Sequence, residues 1–404
     1  MSARILALGT YPIARPIHGG QRRVAAFKQF YESRGAEYFH ACIYNAAHYS
    51  GSDVGVDDWP LIVPPSDTGL ANLIGDLMSG HQFEADEPTL RHFVGVLERI
   101  NPDTLQLEQP FMWPLAKRLR QISGSRKLRL IYSSQNVETP LKREILVSHG
   151  VPSQLRGKVC AEIEELESEL CREADLIVCV SLDDRAHYCR FKPPADVVIV
   201  PNGVDRPPER PQHRTNDAVQ RAFAGRRFVM TVGSAYPPNV DGICHYLVKG
   251  GIFCVPPAKS IAICGGVAQH VIRHPEYQQY VTANSVRVEF LPDIDDADLW
   301  AIKQSCHGVL LPIRSGGGSN LKTAEALALG KWTIGTVVAL RGYESLAGAE
   351  GLIIANDRSS FRHAIRDVLL RPPLQLTERD RIAREALFWD RCFADSGVSR
   401  ALEL

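Results

Sequence analysis

The chain has 404 residues, enough for two domains that each bury a core, and its 45% hydrophobic and 23% charged residues are ordinary for a globular protein. Lysine and arginine number 46, as do aspartate and glutamate, so the sequence lacks the basic excess of general nucleic-acid binders. No apolar stretch approaches the roughly 18 residues of a membrane-spanning helix. The ten cysteines are scattered without a Cys-x-x-Cys pair, which favours a reducing compartment and no zinc site.

Short apolar runs alternate with longer amphipathic stretches along the chain. The runs predicted as a first series of strands are Ile5–Leu8, Leu105–Leu107, Leu128–Tyr132, Leu176–Val180 and Val197–Val200. Those of a second series are Phe228–Val232, Ile261–Cys264, Val286–Leu291, Gly308–Leu311, Thr333–Ile334 and Leu352–Ile354. Predicted helices include Gln21–Ser33, Pro88–Ile100, Ser153–Glu173, Asp296–Ser305 and Leu321–Leu329. Because apolar strands that alternate with helices form parallel sheets covered on both faces, the pattern predicts two doubly wound α/β domains.

A polar, proline-rich stretch after residue 205 predicts the boundary between these domains. We expect an N-terminal domain over residues 1–205, a linker over 206–226 and a C-terminal domain over 227–376. Residues 377–404 again show helical spacing, with Ile382, Ala386 and Trp389 on one face.

The stretch after the predicted strand Gly308–Leu311 is the most informative part of the sequence. Three glycines, Gly316–Gly318, let a backbone approach a ligand closely, and the start of the helix that follows suits an anion. Lys322 can reach the same anion, and Glu325 lies one turn further on the same side, where a carboxylate can accept two vicinal hydroxyls, as on a ribose. The stretch therefore predicts a nucleotide-sugar site. The alternative is an ordinary strand–turn–helix corner with a solvated lysine and glutamate.

Five motifs together resemble the retaining GT-B glycosyltransferases of the large family 4 group, over nearly the whole chain. The stretch from Gly316 to Gly330 is similar to the donor-binding signature of that group. The other matches, in the order and spacing of the group, are Ala174–Ser181, Val200–Asp205, Gly233–Val240 and the pair Trp389-Asp390.

This resemblance implies a fold and an activity. The fold would be GT-B, with two facing Rossmann-like doubly wound domains, a cleft between them, and a C-terminal helix, 377–404, that completes the N-terminal domain. The 227–376 domain would bind a nucleotide-diphosphate sugar such as a UDP- or GDP-sugar, and no metal or other cofactor would be required. A glycan, a lipid-linked saccharide or a small molecule would be the acceptor in polysaccharide biosynthesis, in the cytoplasm.

The resemblance also implies which residues of the C-terminal domain form the site. Lys322 and Glu325 would carry the catalytic roles. The further donor contacts would be Arg314, Gly316, Gly317, Gly318, Ser319, Asn320, Leu321, Ser234 and Asn239.

Two segments of the N-terminal domain are expected to line the cleft or meet the acceptor. In the first, Gly19, Gly20 and Arg23 follow the first strand and open a helix, and the alternative there is a surface turn with solvated arginines. In the second, the residues are Gln135, Asn136 and Glu138, at the end of a strand. Many members of the group have histidine where this chain has Gln135.

Two departures from the group leave other functions open. Gly317 stands where many members have a first glutamate, and the turn Ser234–Asn239 holds neither the arginine nor the lysine that often meets the diphosphate. A catalytically inactive GT-B-like binding or assembly partner in a glycan pathway is therefore the main alternative, and a nucleotide-sugar epimerase is a third.

A basic run between Lys117 and Arg129 holds six cations and no acid. It predicts either a solvated helix end or a peripheral contact with the inner face of an anionic membrane, where each cation contributes roughly 1 kcal/mol.

Overall fold

The computed structural model describes residues 2–63, 68–124, 127–206, 223, 225–315 and 319–402. These residues form two compact units, Met1–Pro201 with Cys392–Leu404, and Asn202–Arg391. Most of the predicted linker, the glycines 316–318, and residues 125–126 of the basic run lie outside the described residues.

The first unit is built on a seven-stranded parallel sheet in the order β3-β2-β1-β4-β5-β6-β7. Its strands are β1 Arg4–Gly9, β2 Glu37–Tyr44, β3 Trp59–Pro60, β4 Thr104–Leu107, β5 Arg129–Ser133, β6 Leu176–Cys179 and β7 Val197–Ile199. Its helices are α1 Gly19–Ser33, α2 Thr68–Ala85, α3 Glu87–Ile100, α4 Trp113–Ile122, α5 Glu138–Ser148, α6 Ser153–Glu173 and α7 Leu182–Tyr188. Strands β4 and β6 are buried at every residue because helices cover both faces of the sheet.

The second unit is built on a six-stranded parallel sheet in the order β10-β9-β8-β11-β12-β13. Its strands are β8 Arg227–Val232, β9 Lys259–Cys264, β10 Val288–Leu291, β11 Gly308–Leu311, β12 Trp332–Gly335 and β13 Leu352–Ile354. The longer helices are α8 Pro237–Ile243, α9 Val267–Arg273, α12 Asp296–Ser305, α13 Leu321–Ala328, α14 Arg358–Leu370 and α15 Glu378–Glu385, and the short α10 Pro275–Gln278 and α11 Val281–Ser285 follow α9. A one-turn π-helix, Cys244–Val248, continues α8.

These two sheets confirm the predicted fold class and every predicted strand. The strands that the sequence analysis did not name are β2 and β3. β2 carries Glu37, His40 and Tyr44 among its apolar residues, so it does not read as an apolar run. Its pairing with β1, from Arg4 opposite Glu37 to Gly9 opposite Cys42, nevertheless places it inside the sheet.

The C-terminal stretch divides differently from the predicted 377–404 completion of the first domain. Leu387 and Phe388 pack with Leu327 and Tyr343 of the second unit, and the backbone of Val204 bonds to Leu387 and Trp389. The last residues, in α16 Trp389–Ser396 and α17 Val398–Leu402, pass into the first unit after Arg391. The apolar residues around Trp389 are therefore buried in the unit that holds the glycine-rich stretch.

A stacked ring fixes the end of the chain to the first unit. Phe393 lies parallel to Phe30 of α1 with ring centroids 4.4 Å apart, and edge-on to Phe27 at 4.9 Å. Arg129 donates to the carbonyl oxygens of Ala401 and Leu402 at 2.6 and 3.1 Å. Only this last part of the predicted C-terminal helix belongs to the first unit.

Candidate functional site

The carboxyl ends of β8 and β11 adjoin at the point where the strand order of the second sheet reverses. Ligands of open parallel sheets bind at such a point, because the loops leave the two strands toward opposite faces. The turn after β8 and the segment after β11 both lead here. A backbone contact holds them together: a Cβ on Gly242 of α8 would lie 2.0 Å from the carbonyl oxygen of Pro312, so only glycine allows this approach.

Lys322, the second residue of α13, connects these two segments. Its Nζ donates to Oδ1 of Asn239 over 2.7 Å. The Nδ2 of Asn239 donates in turn to the carbonyl oxygen of Ser234 at 3.1 Å and lies 3.3 Å from its Oγ. Three residues that the sequence placed in one site are thus in contact, and Ser234 is exposed to solvent beside them.

The ammonium group of Lys322 loses its proton at a lower pH than that of an ordinary lysine. Burial lowers the pKa of Lys322 to about 8, and the charge of Glu325 opposes this shift without cancelling it. Its hydrogen-bond partner Asn239 is neutral. An anion bound beside Lys322 would restore the ammonium form, because opposite charge favours it.

Glu325 lies beside Lys322 on α13 and has a cationic partner of its own. Its Oε2 lies 2.8 Å from Nζ of Lys303 on α12, and both side chains are mostly buried. A cavity of about 10 Å³ lies among Lys303, Lys322, Glu325 and apolar residues of β8 and β11. Lys303 was missed in the sequence, where it reads as one more polar residue of an amphipathic helix.

The residues that flank the undescribed glycines are held by the segment that follows β7. Nδ2 of Asn202 donates to Oγ of Ser319 at 2.9 Å, and the hydroxyl of Tyr343 donates to the carbonyl oxygen of Asn202 at 2.8 Å. Asn320 caps α13, with its Oδ1 accepting from the backbone N–H of Lys322 at 3.1 Å. Asn202 belongs to the Val200–Asp205 motif, but no pattern in the sequence places it beside Ser319.

The other predicted donor contacts are less engaged. Arg314 is exposed, and its Nη1 forms an ion pair with Oδ2 of Asp241 at 2.7 Å. Leu321 is the first residue of α13. Gly316, Gly317 and Gly318 lie outside the described residues, so their predicted role stays a prediction.

The first sheet gathers polar side chains at its own carboxyl edge. Gly20 in the first turn of α1 lies against Tyr11 and Gln135: a Cβ there would be 2.5 Å from the tyrosine oxygen and 2.6 Å from Oε1 of Gln135. The Tyr11 hydroxyl donates to the same Oε1 over 2.8 Å. Gly19 is the first residue of α1, which His18 caps. The predicted residues Gly20 and Gln135 are therefore neighbours.

Arg23, which was expected to line the cleft or meet the acceptor, is buried. Only 1% of it is exposed, and its Nη1 donates to the carbonyl oxygen of Val200 at 2.9 Å. Its guanidinium carbon lies 5.0 Å from the ring centre of Phe27. Because α1 packs this face on the sheet, Arg23 fastens the helix to the segment that follows β7, and its role toward an acceptor stays a prediction.

Glu138 is also buried, and it faces a second buried carboxylate. Burial, followed by the charges of Glu167 and Asp76, raises the pKa of Glu138 to about 8. Burial raises the pKa of Glu167 to about 7, although hydroxyl groups of Tyr132 and Tyr188 donate to it at 2.8 and 2.9 Å. These acids hold protons near neutral pH.

Asn136 lies between that pair and the sheet edge. Its carbonyl oxygen accepts from the hydroxyls of Ser134 at 2.9 Å and Tyr188 at 3.0 Å. A side-chain hydrogen bond from Asn136 opposes the raised pKa of Glu138. Asn136 therefore positions the start of α5. It follows Gln135, the residue that lies beside Gly20.

Three residues at this edge, His40, Glu108 and Gln109, were not predicted from the sequence. A Cβ on Gly9 would lie 3.1 Å from Nε2 of His40 and 3.7 Å from Oε1 of Gln109, so these side chains meet at the end of β1. Oε1 of Glu108 accepts from Gln106 at 2.6 Å, and burial raises the pKa of Glu108. Their order in the sequence gives no signal, because only sheet pairing brings β1, β2 and β4 together.

Several buried side-chain atoms at this edge have no hydrogen-bond partner among the described residues. They include Nε2 of His40, Oε2 of Glu108, Nε2 of Gln109, Oγ of Ser133 and Nε2 of Gln135. Buried polar atoms are nearly always paired, so such a group indicates a ligand or solvent that completes it. Donors and acceptors are both present, as a polyhydroxyl ligand requires.

The predicted basic run is largely engaged within the first unit. Lys117 pairs with Glu169 at 2.5 Å and Arg120 with Glu173 at 3.6 Å, while Arg129 donates to backbone carbonyls. The acidic face of α6 therefore neutralises part of the charge that the membrane prediction used. No helix in the described part of the chain is long and apolar enough to cross a bilayer. Within the same residues, no group of three His, Cys, Asp or Glu side chains could hold a metal ion.

Solved structures are similar to this chain over nearly its whole length, although no protein-family model and no curated protein sequence matches it. Sucrose-phosphate synthase from Thermosynechococcus elongatus has a TM-score of 0.68 and 14% identity over 99% of each chain. The α,α-trehalose-phosphate synthase (UDP-forming) from Burkholderia xenovorans in complex with glucose-6-phosphate has a TM-score of 0.64 and 13% identity, over 99% of this chain and 98% of that one. Anabaena HepE in complex with UDP-glucose has a TM-score of 0.59 and 13% identity, over 98% and 99%.

At these identities the likeness establishes the fold. The two Rossmann-like doubly wound sheets and the match over both chain lengths confirm the predicted GT-B fold.

Proposed function

We propose that this chain is a retaining glycosyltransferase that moves a sugar from a nucleotide diphosphate sugar to a hydroxyl of a glycan, a lipid-linked saccharide or a small molecule. The observation that carries this proposal is the contact between Lys322, Asn239 and Ser234 at the strand-order reversal of the second sheet. The similar structures add support, since HepE was solved with UDP and with UDP-glucose, and the trehalose-phosphate synthase is named as UDP-forming.

In this proposal Lys322 binds the diphosphate of the donor and stabilises it as it leaves. The bond between the anomeric carbon and the diphosphate oxygen breaks, and the acceptor oxygen forms a bond to the same face of that carbon. The acceptor proton passes to the departing phosphate, so no enzymic base is needed. Lys322 acts where negative charge grows, in a partly buried site where a charge is worth more than in water.

Glu325 would accept the ribose hydroxyls while Lys303 holds its carboxylate in place. A carboxylate with an amine partner at 2.8 Å is held in a fixed orientation, which a hydrogen-bond acceptor needs. Ser319, held by Asn202, would position the backbone that approaches the phosphates.

The carboxyl edge of the first sheet would bind the acceptor. Its unpaired donors and acceptor on His40, Glu108, Gln109 and Gln135 suit the hydroxyl groups of a sugar. The aromatic ring of Tyr11, whose hydroxyl is already paired with Gln135, would add a flat apolar surface of the kind on which sugar rings pack.

The test combines binding with turnover. Thermal melting of the purified protein with UDP, GDP, ADP and TDP identifies the nucleotide, and release of that nucleotide from its glucose, galactose or mannose conjugates measures turnover. We expect one nucleotide to raise the melting temperature and one of its sugar conjugates to be consumed, with the product anomer matching the donor. Failure of all four to bind would contradict the proposal.

A second candidate function is a binding or assembly partner in a glycan pathway that lacks catalysis. Two features favour it: Gly317 stands where many enzymes of the resembled group have a glutamate, and the turn Ser234–Asn239 holds no cation. This candidate predicts nucleotide binding without consumption of any sugar conjugate, in the presence of simple sugars and of membrane-extracted lipid-linked acceptors.

A further inference from the structure

A basic concavity lies on the second unit along helix α14. It is open to solvent, has a volume of about 430 Å³, and is lined by Cys254, Arg358, Ser359, Arg362, His363 and Arg366. No carboxylate is among these described lining residues. A pocket with this lining has a chemistry that the candidate donor site, which rests on Lys322, does not use.

The three arginines form one stripe along α14. Arg358, Arg362 and Arg366 are spaced four residues apart, so successive side chains lie on the same face of the helix. At about 1.5 Å of rise per residue, the outer two are about 12 Å apart along the axis. Like charges at this spacing repel each other, so the stripe does not stabilise the helix that carries it.

Backbone carbonyls hold two of the guanidinium groups in place. Nε of Arg358 donates to the carbonyl oxygen of His245 at 2.8 Å. Arg362 donates to the carbonyls of Tyr246, Leu247 and Lys249 at 3.1, 2.8 and 2.7 Å, all in or next to the π-helix. These bonds orient the groups but leave their positive charge without a carboxylate among the described residues.

The carboxylates on the same helix are not positioned to neutralise the stripe. Asp357 is the N-cap of α14, and its Oδ1 accepts from the backbone N–H groups of Ser359 and Ser360 at 2.9 and 3.0 Å. Asp367 is exposed and does not line the concavity. Arg366 is exposed and has no hydrogen bond or ion pair within the described residues.

A fourth cation approaches the rim. The guanidinium of Arg287 lies 5.8 Å from the ring centre of Phe253, which is 57% exposed and precedes Cys254. Burial raises the pKa of the Cys254 thiol, and the positive charges of Arg362 and Arg287 oppose that shift, which places both cations near its sulfur.

We propose that this concavity binds a ligand with two or more phosphoryl groups. Guanidinium groups match phosphate oxygens in pairs of parallel hydrogen bonds, and Arg358, which uses only its Nε on a carbonyl, keeps both terminal nitrogens for such a pair. Arg362 uses its Nε and Nη2 on carbonyls and keeps its Nη1. A spacing of one helical turn between successive arginines suits adjacent phosphoryl groups. The source is either a soluble phosphorylated molecule or a lipid headgroup, and both present the same chemistry.

Calorimetric titration of inorganic pyrophosphate into the full-length Lys322→Ala variant tests the soluble source, since that variant lacks the cation of the candidate donor site. We expect pyrophosphate to bind, and an added Arg366→Glu substitution to weaken binding at least about tenfold, as for loss of a charge-assisted hydrogen bond. Arg366 was chosen because it has no protein partner to lose. Arg379→Glu, an equal charge change at an exposed residue of α15, is the matched control and is expected to leave the affinity unchanged.

Co-sedimentation of the same variants with vesicles that contain cardiolipin, whose headgroup carries two phosphodiesters, tests the lipid source, and phosphatidylcholine vesicles are the comparison without net charge. Vesicle binding that Arg366→Glu abolishes, without pyrophosphate binding, assigns the lipid headgroup. Pyrophosphate binding alone assigns a soluble ligand. The inference is overturned if neither probe binds, or if Arg366→Glu and Arg379→Glu behave alike. Sugar turnover is not part of this readout, so loss of the proposed function would leave the result unchanged.

Discussion

The carboxyl edges of the two sheets bury ionisable groups of opposite sign. The second edge holds a cation, Lys322, whose pKa burial lowers to about 8. The first holds acids, among them Glu108, whose pKa burial raises. Both shifts favour the uncharged form, because burial penalises any isolated charge. In the proposed function an anionic donor would restore the charged form of Lys322, whereas a neutral, hydroxyl-rich acceptor would need no charge at the first edge.

The strongest way to break this comparison is to remove the cation of the second edge. Lys322→Ala is expected to lower donor turnover by about a hundredfold or more, because the lost charge acts where negative charge grows in the transition state. Nucleotide diphosphate binding should weaken by roughly 1.5–3 kcal/mol, as for a lost charge-assisted hydrogen bond. Calorimetry and nucleotide release measure the two effects.

Lys331→Ala is the control for this change. Lys331 follows the same helix, and its Nζ donates to the carbonyl oxygen of Gln304 at 2.9 Å on the surface. Equal nucleotide affinity in Lys322→Ala and Lys331→Ala proteins would remove Lys322 from the site.

A smaller effect is expected when the first edge is changed. Gln135→Ala removes a buried amide with an unpaired Nε2 and the partner of the Tyr11 hydroxyl. We expect the KM for the acceptor to rise about tenfold while hydrolysis of the donor in the absence of acceptor is unchanged, since one lost hydrogen bond costs roughly 0.5–1.5 kcal/mol. Gln121→Ala, on an exposed helix end, is the control. A parallel fall in donor hydrolysis would show that the two edges are not separate in function.

The buried acids predict how stability depends on pH. The pKa of Glu138 is raised to about 8 from an ordinary value of 4.5. The unfolded state therefore loses its proton first as the pH rises, and the free energy of unfolding should fall between about pH 5 and 8. Glu138→Gln removes this dependence. The change in free energy of unfolding that the substitution causes should therefore be more favourable at pH 8.5 than at pH 5.5, by at least about 1.4 kcal/mol, the equivalent of one pKa unit.

Urea unfolding at both pH values measures this difference. The matched control is Glu144→Gln, on the exposed face of the same helix. Glu167, whose pKa is raised to about 7, adds a dependence of the same sign and remains in both variants. A Glu138→Gln protein that loses stability equally at both pH values would show that the carboxyl group is needed for packing and is not held in its protonated form.

The smallest expected effect sharpens the contrast between the edges. At pH 8 a lysine of pKa about 8 is half protonated, so binding of a nucleotide diphosphate beside Lys322 should take up about half a proton. Calorimetric binding enthalpies in buffers of different ionisation enthalpy measure this uptake. The uptake should vanish in the Lys322→Ala variant, and an enthalpy independent of the buffer in the parent protein would contradict the lowered pKa.

The sequence alone predicted the fold class, which the two sheets confirm, and a candidate site of which Lys322, Asn239 and Ser234 are linked by hydrogen bonds. Apolar strands such as Leu176–Cys179 are recognisable because both faces of a parallel sheet are buried, so nearly every residue is apolar. The link between Lys322 and a glycine-rich turn is local, within one strand–turn–helix unit, and local patterns survive in sequence. Strand prediction failed where a strand mixes polar with apolar residues. β2 mixes Glu37 and His40 with apolar residues and so reads as a surface segment.

Only the tertiary structure decided which distant residues meet. Lys303 pairs with Glu325, Asn202 with Ser319, and His40 with Gln109 across Gly9, in each case through contacts between segments that no periodicity connects. The structure also decided burial, which made Arg23 a support of α1 and Glu138 a protonated acid. Burial depends on what packs against a residue, and the C-terminal stretch shows the same dependence: its apolar spacing predicted a docked helix, while packing assigned Leu387 and Phe388 to one unit and Phe393 to the other.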